Sequence, residues 1–580
     1  VACDQDRCGQ SLPKAKHIAI SSDVGYLIAL AVLWLAGVAI VNPVGDFPLN
    51  DDWIYSWPVK TYIDTGRIDI LSCTGFTLIG HVLWGIVSCS IFGFSFTVLR
   101  MSSVVLALAG ILVTYWIFRT AKASRGFSLL AALVVGFNPL YYEISFTFMT
   151  DVSFAAFGLM GLLFLNRYLE SERSSCLIAA TVVISISTLI REVGLLLPAA
   201  FAAIYLLRHG WNMRSALKAA LPLIVAVLGF VLYRIILAAE GGSPSTFDFK
   251  LRIIMGLFDS GLDGILAVLD RLHQSVVYLG LFALPFTIWI SFGLWRSYAG
   301  RERWWCFGTS AATAALLIAR LLYLQRLMPL SRNVLFDFGL GPLTLKDTGV
   351  LKLPNYVTAP ESLWLGITVL AVFSASVLTG FFVTEALRIL PRGRWKTAAQ
   401  GPQFLIAGGV LLSYVGLISL SGLFDRYLIY LVPFCLLAFY YCRSDRALRI
   451  SGAAKGTAIL VAVVLAVFAI GATHDYLAWN RARWEALDYL TVQRNITPER
   501  IDGGFEFNGW YLYDETYVPQ RPRSWWWVHD DEFIISFGLI PGYEIERSYP
   551  FVRYMPPGQP EILLLRRAGT DHDPAENRGS

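Results

Sequence analysis

The chain has 580 residues, of which 56% are hydrophobic and only 15% charged, with a mean hydropathy of +0.57 and a net charge of +5. Soluble domains run at about 45–50% apolar and about 25% charged, so repeated long apolar runs on this background read as a polytopic membrane protein. The basic residues fall in short loops, which argues against a nucleic-acid footprint, and eight cysteines without CxxC spacing give no support to a zinc or redox motif.

In chain order, Lys14, Lys16 and His17 precede a first apolar run at 24–42. That run exceeds the roughly 7–15 residues of a signal-peptide core and reads as an uncleaved span. A helix needs about 20 apolar residues to cross a bilayer. On that scale about thirteen spans are predicted, at 24–42, 98–118, 127–148, 152–169, 175–190, 193–207, 216–238, 276–295, 304–322, 363–387, 402–423, 426–441 and 456–476. Basic residues mark one side of the membrane: Arg119, Lys122 and Arg125, then Arg208, Arg214 and Lys218, then Arg296, Arg301 and Arg303. Arg388, Arg392, Arg394 and Lys396 follow, then Arg443, Arg446 and Arg449. These loops share a side with the amino terminus, which is therefore expected to be cytoplasmic.

Residues 76–94 are apolar enough to resemble a span, but a crossing there would turn every later basic loop outward. They are read as an interfacial helix within a first outer loop at 43–97. Cys73 and Cys89 share that loop; the alternatives are a disulfide there or idle thiols. Residues 1–476 form the membrane domain, and 477–580 are far more polar. Turn signals such as "IPGYE" and "YMPPGQP" and strand-like runs "EFIISF" and "EILLLR" mark this tail as a small extracytoplasmic α/β domain with a frayed end after Arg567.

Charges gather on the outer face. "NDDWIYSW" places Asp51 and Asp52 just past the first span, among rings suited to the headgroup layer. Asp151 in "FMTDVSF" stands at the outer tip between the third and fourth spans, and Glu143 lies inside the third span, where a charge costs about 2.5–3.5 kcal/mol on insertion scales. Arg191 and Glu192 in "LIREVG", Arg426 in "FDRYLIYLVP", and Lys60 and Arg67 supply the other charges. Each has a plainer alternative. The aspartates can cap helices, the arginines can anchor at headgroups, and Glu143 can be met by a neighbouring helix. Their coincidence on one face is the stronger signal.

This pattern resembles the GT-C superfamily of membrane glycosyltransferases, nearest to glycosyltransferase family 39 and the bacterial aminoarabinose transferases. The residues that carry the resemblance are "DDWIY" (Asp51, Asp52, Tyr55), "FGFSFTVLR", "MTDVSF" (Asp151), "IREVGLLLP" (Arg191) and "DRYLIYLVP". It covers most of residues 20–240. The first-loop Lys-Pro of the aminoarabinose transferases is not found, nor are the loop motifs and β-trefoil of the eukaryotic protein O-mannosyltransferases.

The resemblance implies a GT-C fold and transfer of a hexose or pentose from a polyprenyl-phosphate donor to a lipid, glycan or protein hydroxyl. It also implies a bacterial plasma-membrane location and a role in the cell envelope. On this reading Asp51, Asp52 and Asp151 are catalytic, with Asp51 the base and inversion expected. Arg191, Arg426 and Lys60 bind the donor phosphate, and Tyr55, Glu143 and Glu192 bind substrate. No cofactor is expected; a divalent metal is used elsewhere in the superfamily. "VHDDEF" (528–533) reads as a solvated turn rather than a metal site, and the Trp525–Trp527 run as either a sugar platform or domain core. "DFG" at Asp337 lacks every other kinase element, and "NIT" at Asn495 is a sequon only in a suitable host. The competing class is a transporter or lipid flippase, which predicts internal repeats and charges at the midplane.

Overall fold

The computed structural model describes residues 20–239, 245–390, 401–441, 451–519 and 526–569. Its helices are α1 (Ile20–Val41), α2 (Asp52–Thr65), α3 (Ile79–Phe92), α4 (Phe96–Thr120), α5 (Arg125–Gly136), α6 (Pro139–Ile144), α7 (Thr150–Ser171), α8 (Ser174–Ile190), α9 (Leu196–His209), α10 (Met213–Ala239) and α11 (Ser245–Asp259). They continue as α12 (Leu262–Ser297), α13 (Gly300–Leu324), α14 (Glu361–Ile389), α15 (Gly401–Ser421), α16 (Leu431–Tyr441), α17 (Gly452–Asp488) and α18 (Phe505–Leu512). Ten helices among the described residues are long and apolar enough to cross a membrane, so this is an integral membrane protein.

Every predicted span falls on helix, and the departures have local causes. The run at 127–148 is broken into α5 and α6 at Asn138-Pro139, where Asn138 Oδ1 caps the new helix by accepting from Leu140 N–H and Tyr141 N–H. The run at 426–441 opens with a 3₁₀ turn, Asp425–Tyr430, before α16. The helix that carries the last span does not stop at Tyr476: α17 continues unbroken to Asp488.

The 76–94 segment is the 14-residue α3, about 21 Å long, against a hydrocarbon core of about 30 Å. It packs beside α2, and its hydrogen-bonded neighbours are helix ends. Leu78 N–H donates to Ile190 O (3.1 Å), and His81 bonds to Phe148 O (3.1 Å) and Ser153 Oγ (2.8 Å). With α2, it therefore lies across the ends of α7 and α8. Cys73 and Cys89 are both free thiols.

The tail holds a four-stranded sheet ordered β1-β2-β6-β3, with β1 (Ile501–Asp502) parallel to β2 (Phe533–Ser536). β6 (Glu561–Arg567) runs antiparallel to both β2 and β3 (Tyr543–Pro550). β4 (Arg553–Tyr554) and β5 (Pro557–Gly558) form a separate ribbon. Both strand-like runs seen in the sequence are strands.

The loop between α13 and α14 is built into the tail. Asp347 accepts from Phe537 N–H and Gly538 N–H, and Lys346 is paired with Asp531 (2.5 Å).

Two arginines hold the first loop in place. Arg100 of α4 is fully buried and donates to the carbonyls of Pro43, Gly45 and Phe47 at 2.7–2.9 Å. Arg483 of α17 pairs with Glu506 (2.7 Å), both fully buried, and Glu506 also accepts from Asn50 N–H (3.0 Å) and Thr344 Oγ1 (2.7 Å). One carboxylate thus ties the residue before Asp51 to the tail.

Replacing Glu506 with Ala leaves Arg483 buried without its partner, a loss of about 3–5 kcal/mol. Denaturant unfolding of the detergent-solubilised protein should show that loss. Lys60→Ala, which removes an exposed pair with Asp64, should shift stability by no more than about 1 kcal/mol.

Candidate functional site

The site forms where four helix ends meet the first loop. Asp51 sits at the N-cap of α2, yet its carboxylate makes no cap hydrogen bond. It pairs instead with Arg426 (Nη2–Oδ2 3.0 Å) at the start of the 3₁₀ turn before α16. Asp151 lies in the first turn of α7 and pairs with Arg191 (2.6 Å), the residue that ends α8. The capping and headgroup-anchor alternatives therefore do not describe these side chains.

Arg191 is 1% exposed, and its Nε donates to Thr150 Oγ1 (2.8 Å). Aromatic rings cover its guanidinium, with Phe76 at 4.1 Å and Tyr427 at 5.3 Å from the ring centroids. The same Tyr427 ring lies 5.8 Å from the Arg426 guanidinium, so one ring joins the two pairs. Arg426 feels both Asp51 and Asp151. Tyr55, one turn into α2, is buried among all four charges; burial first, then Asp51, raises its phenol pKa well above the usual value.

The two adjacent acids have different surroundings. Asp52 is 1% exposed and accepts from Leu49 N–H (3.2 Å) and Phe148 N–H (2.7 Å), linking the first loop to the α6–α7 turn. Burial pushes its carboxyl up to about 8, against the pull of Arg100 and these two amides. The Asp51 side chain is 20% exposed, which makes it the acid of the pair that a solute can reach.

Glu143 on α6 is fully buried, and neither carboxylate oxygen has a hydrogen-bond partner among the described residues. Its electrostatic neighbours are Asp52, Asp425, Arg426 and Asp151. Glu192 lies one layer away, paired with Lys250 of α11 (3.1 Å). Lys60 is not brought in: it faces Asp64 (2.7 Å) and the Phe94 ring.

Three functional candidates escaped the sequence reading. The Lys250 ammonium lies 4.0 Å from the Phe76 ring, so that ring carries two cations, Arg191 and Lys250. Burial holds the Lys250 pKa down against the pull of Glu192. Asp425 is fully buried and accepts from the backbone N–H groups of Val334, Leu335 and Arg426, clamping a remote loop beside the site. Tyr414 of α15 stands against Arg191. The signal for Asp425 was present in the adjacent letters of "FDRY"; Lys250 had none.

The "VHDDEF" acids are engaged by basic groups. Asp530 and Asp531 meet Arg567, Asp531 meets Lys346, and Glu532 meets Arg500. No cluster among the described residues has metal-holding geometry. Trp527 packs on Trp53 (5.4 Å) and Tyr513 (5.2 Å) and belongs to the domain core; Trp525 lies outside the described residues.

Residues 81–237 match the family described as dolichyl-phosphate-mannose-protein mannosyltransferase. The match spans α3 to α10 and so takes in Glu143, Asp151 and Arg191. No curated protein matches this chain. Among solved structures, ArnT from Cupriavidus metallidurans bound to undecaprenyl phosphate is 13% identical, with 96% of this chain and 100% of that one covered and a TM-score of 0.38. The oligosaccharyltransferase AglB from Archaeoglobus fulgidus, in complex with an inhibitory peptide and a dolichol-phosphate, is 15% identical over 87% of this chain and 62% of that one, with a TM-score of 0.38. The arabinosyltransferase EmbB from Mycobacterium smegmatis is 13% identical over 82% and 43%, with a TM-score of 0.31.

The Asp52 carboxyl gives a pH signature. An unfolded aspartate titrates near 3.9, and the folded one near 8. The folded state therefore keeps a proton that the unfolded chain releases. The stabilisation is complete below about pH 4 and is lost as pH rises through about 8. Melting temperatures should fall more between pH 5 and 8.5 for the parent protein than for Asp52→Asn, which cannot titrate.

Proposed function

We propose that this membrane protein is a GT-C glycosyltransferase that moves a sugar from a polyprenyl phosphate to an acceptor hydroxyl on the extracytoplasmic face. The observation that carries the reading is the joining of the Asp51–Arg426 and Asp151–Arg191 pairs through Tyr427 at the mouth of the helix bundle. The lipid-phosphate sugar named in the matched family's description supports the donor class.

The chemistry follows from where the charges stand. A prenyl phosphate keeps its charge at the membrane edge and its chain among apolar helices. Arg191 and Lys250, on the shared ring of Phe76, are placed to receive that phosphate. Arg426 is shared: an incoming phosphate competes with Asp51 for its guanidinium. Drawing Arg426 onto the phosphate frees the Asp51 carboxylate from its ion pair and opens it to the acceptor hydroxyl.

In the transfer, the acceptor oxygen bonds to the anomeric carbon as its proton passes to the Asp51 carboxylate. The bond from that carbon to the phosphate oxygen breaks, and the electron pair leaves on the phosphate, where the cations stabilise it. Attack opposite the leaving group inverts the anomeric centre. Asp151 holds Arg191 in its aromatic slot. Glu143, with both oxygens unpartnered, is available to sugar hydroxyls, and Asp52 fixes the loop that presents Asp51.

Mass spectrometry of lipids co-purifying with the parent protein, Arg191→Ala and Asp51→Asn tests this directly. The parent and Asp51→Asn should retain a polyprenyl phosphate or its glycosylated form, and Arg191→Ala should lose at least tenfold of it. Asp51→Asn should lower turnover by at least 100-fold. If no prenyl lipid is retained by the parent even when supplied in excess, the donor reading fails.

A further inference from the structure

A cleft lies away from the paired charges, between the first loop and the tail. It encloses about 400 Å³. Trp57 and Leu71 line it from the first loop, and Trp510 and Tyr513 from α18 and the residues after it; Asp69, Asp514 and Glu515 stand on its walls.

The aromatic walls are braced. Trp57 and Trp510 meet edge to face at 5.6 Å, and Trp510 is backed by Phe94 (6.3 Å, 3° between planes) and Phe96 (5.1 Å). The Trp57 indole N–H donates to Asp69 Oδ2 (3.3 Å), and the Tyr513 hydroxyl shares a hydrogen bond with Ser72 Oγ (2.9 Å). Among the described residues, no lysine or arginine lines the cleft.

We propose that this cleft binds a non-anionic saccharide, the glycan portion of the acceptor, an inference that rests on the transferase reading above. A sugar ring offers a C–H face to an indole and a girdle of hydroxyl donors. Braced indoles take the face, and carboxylates, which only accept, take the hydroxyl protons with charge-assisted bonds. An anionic ligand would meet three carboxylates and, among the described residues, no compensating cation. Trp57 lies six positions along from Asp51 at the start of α2, about 9 Å of helical rise, on a different face of that helix. A short saccharide spans that distance around the helix, so the cleft holds the acceptor while its terminal hydroxyl meets Asp51.

Saturation-transfer NMR on the full-length protein in nanodiscs without added donor tests the assignment. The neutral probes are mannotriose and cellotriose, with trigalacturonate as the anionic probe and tetramethylammonium as the cationic one. At least one neutral trisaccharide should receive saturation, and trigalacturonate none. Trp510→Leu and the double variant Asp514→Asn/Glu515→Gln should each reduce the signal at least fivefold. The double variant changes only exposed side chains and keeps the test valid if Trp510→Leu unfolds the protein. The assignment is overturned if neither neutral trisaccharide is saturated, if the signal is unchanged in the double variant, or if tetramethylammonium displaces the saccharide. Retained prenyl lipid is measured on the same preparations. A lost saccharide signal with lipid retained removes the cleft alone, and the reverse result removes the donor reading alone.

Discussion

An arginine withdrawn from water must have its charge met inside the protein, because an unpaired buried ion costs several kcal/mol. Arg191 is that residue here, and much of the site can be understood as the means of burying it. Asp151 supplies the opposite charge, Thr150 an acceptor, and Phe76 and Tyr427 polarizable faces. These partners come from the start of α7, the first loop and the turn before α16. Meeting one charge therefore fixes the relative positions of three separate chain segments at the membrane edge.

The first loop is held from both sides. Arg100 gathers the carbonyls of Pro43, Gly45 and Phe47 from below, and Glu506 takes the Asn50 amide from the tail. Asp52 closes the remaining side through Phe148 N–H. Asp51 is thereby presented on a constrained backbone, while its side chain keeps a partner, Arg426, that the proposed mechanism hands to the donor phosphate. Rigid support with one exchangeable contact suits a group that must change its ionic environment during a reaction.

The spans and their acids were legible because hydrophobic periodicity and isolated charges are local signals. Asp51, Asp151, Arg191 and Arg426 stand out as polar letters in apolar surroundings, and the structure brings them to one rim. Lys60 looked equivalent, but its position one turn before Asp64 gives it a local partner instead. What could not be read was long-range pairing. Nothing near Asn50 announces Glu506, 456 positions away, and nothing in α11 marks Lys250 as the neighbour of Phe76. The length of the last helix was not legible for a different reason: falling hydropathy marks where a helix leaves lipid, whereas the helix itself persists while its residues Trp479 and Arg483 find partners, Phe537 and Glu506, in the tail.

That persistence has a mechanical meaning. α17 has 37 residues and is about 55 Å long, so the tail is mounted on a rod anchored in the membrane bundle, without a hinge. Register along the rod sets the azimuth of everything above it. One inserted residue within the membrane part of α17 would advance the tail by about 1.5 Å and rotate it by about 100°, carrying Glu506 away from Asn50. The number of residues in this helix is thus a phase setting, and chain length there is constrained even where residue identity is free.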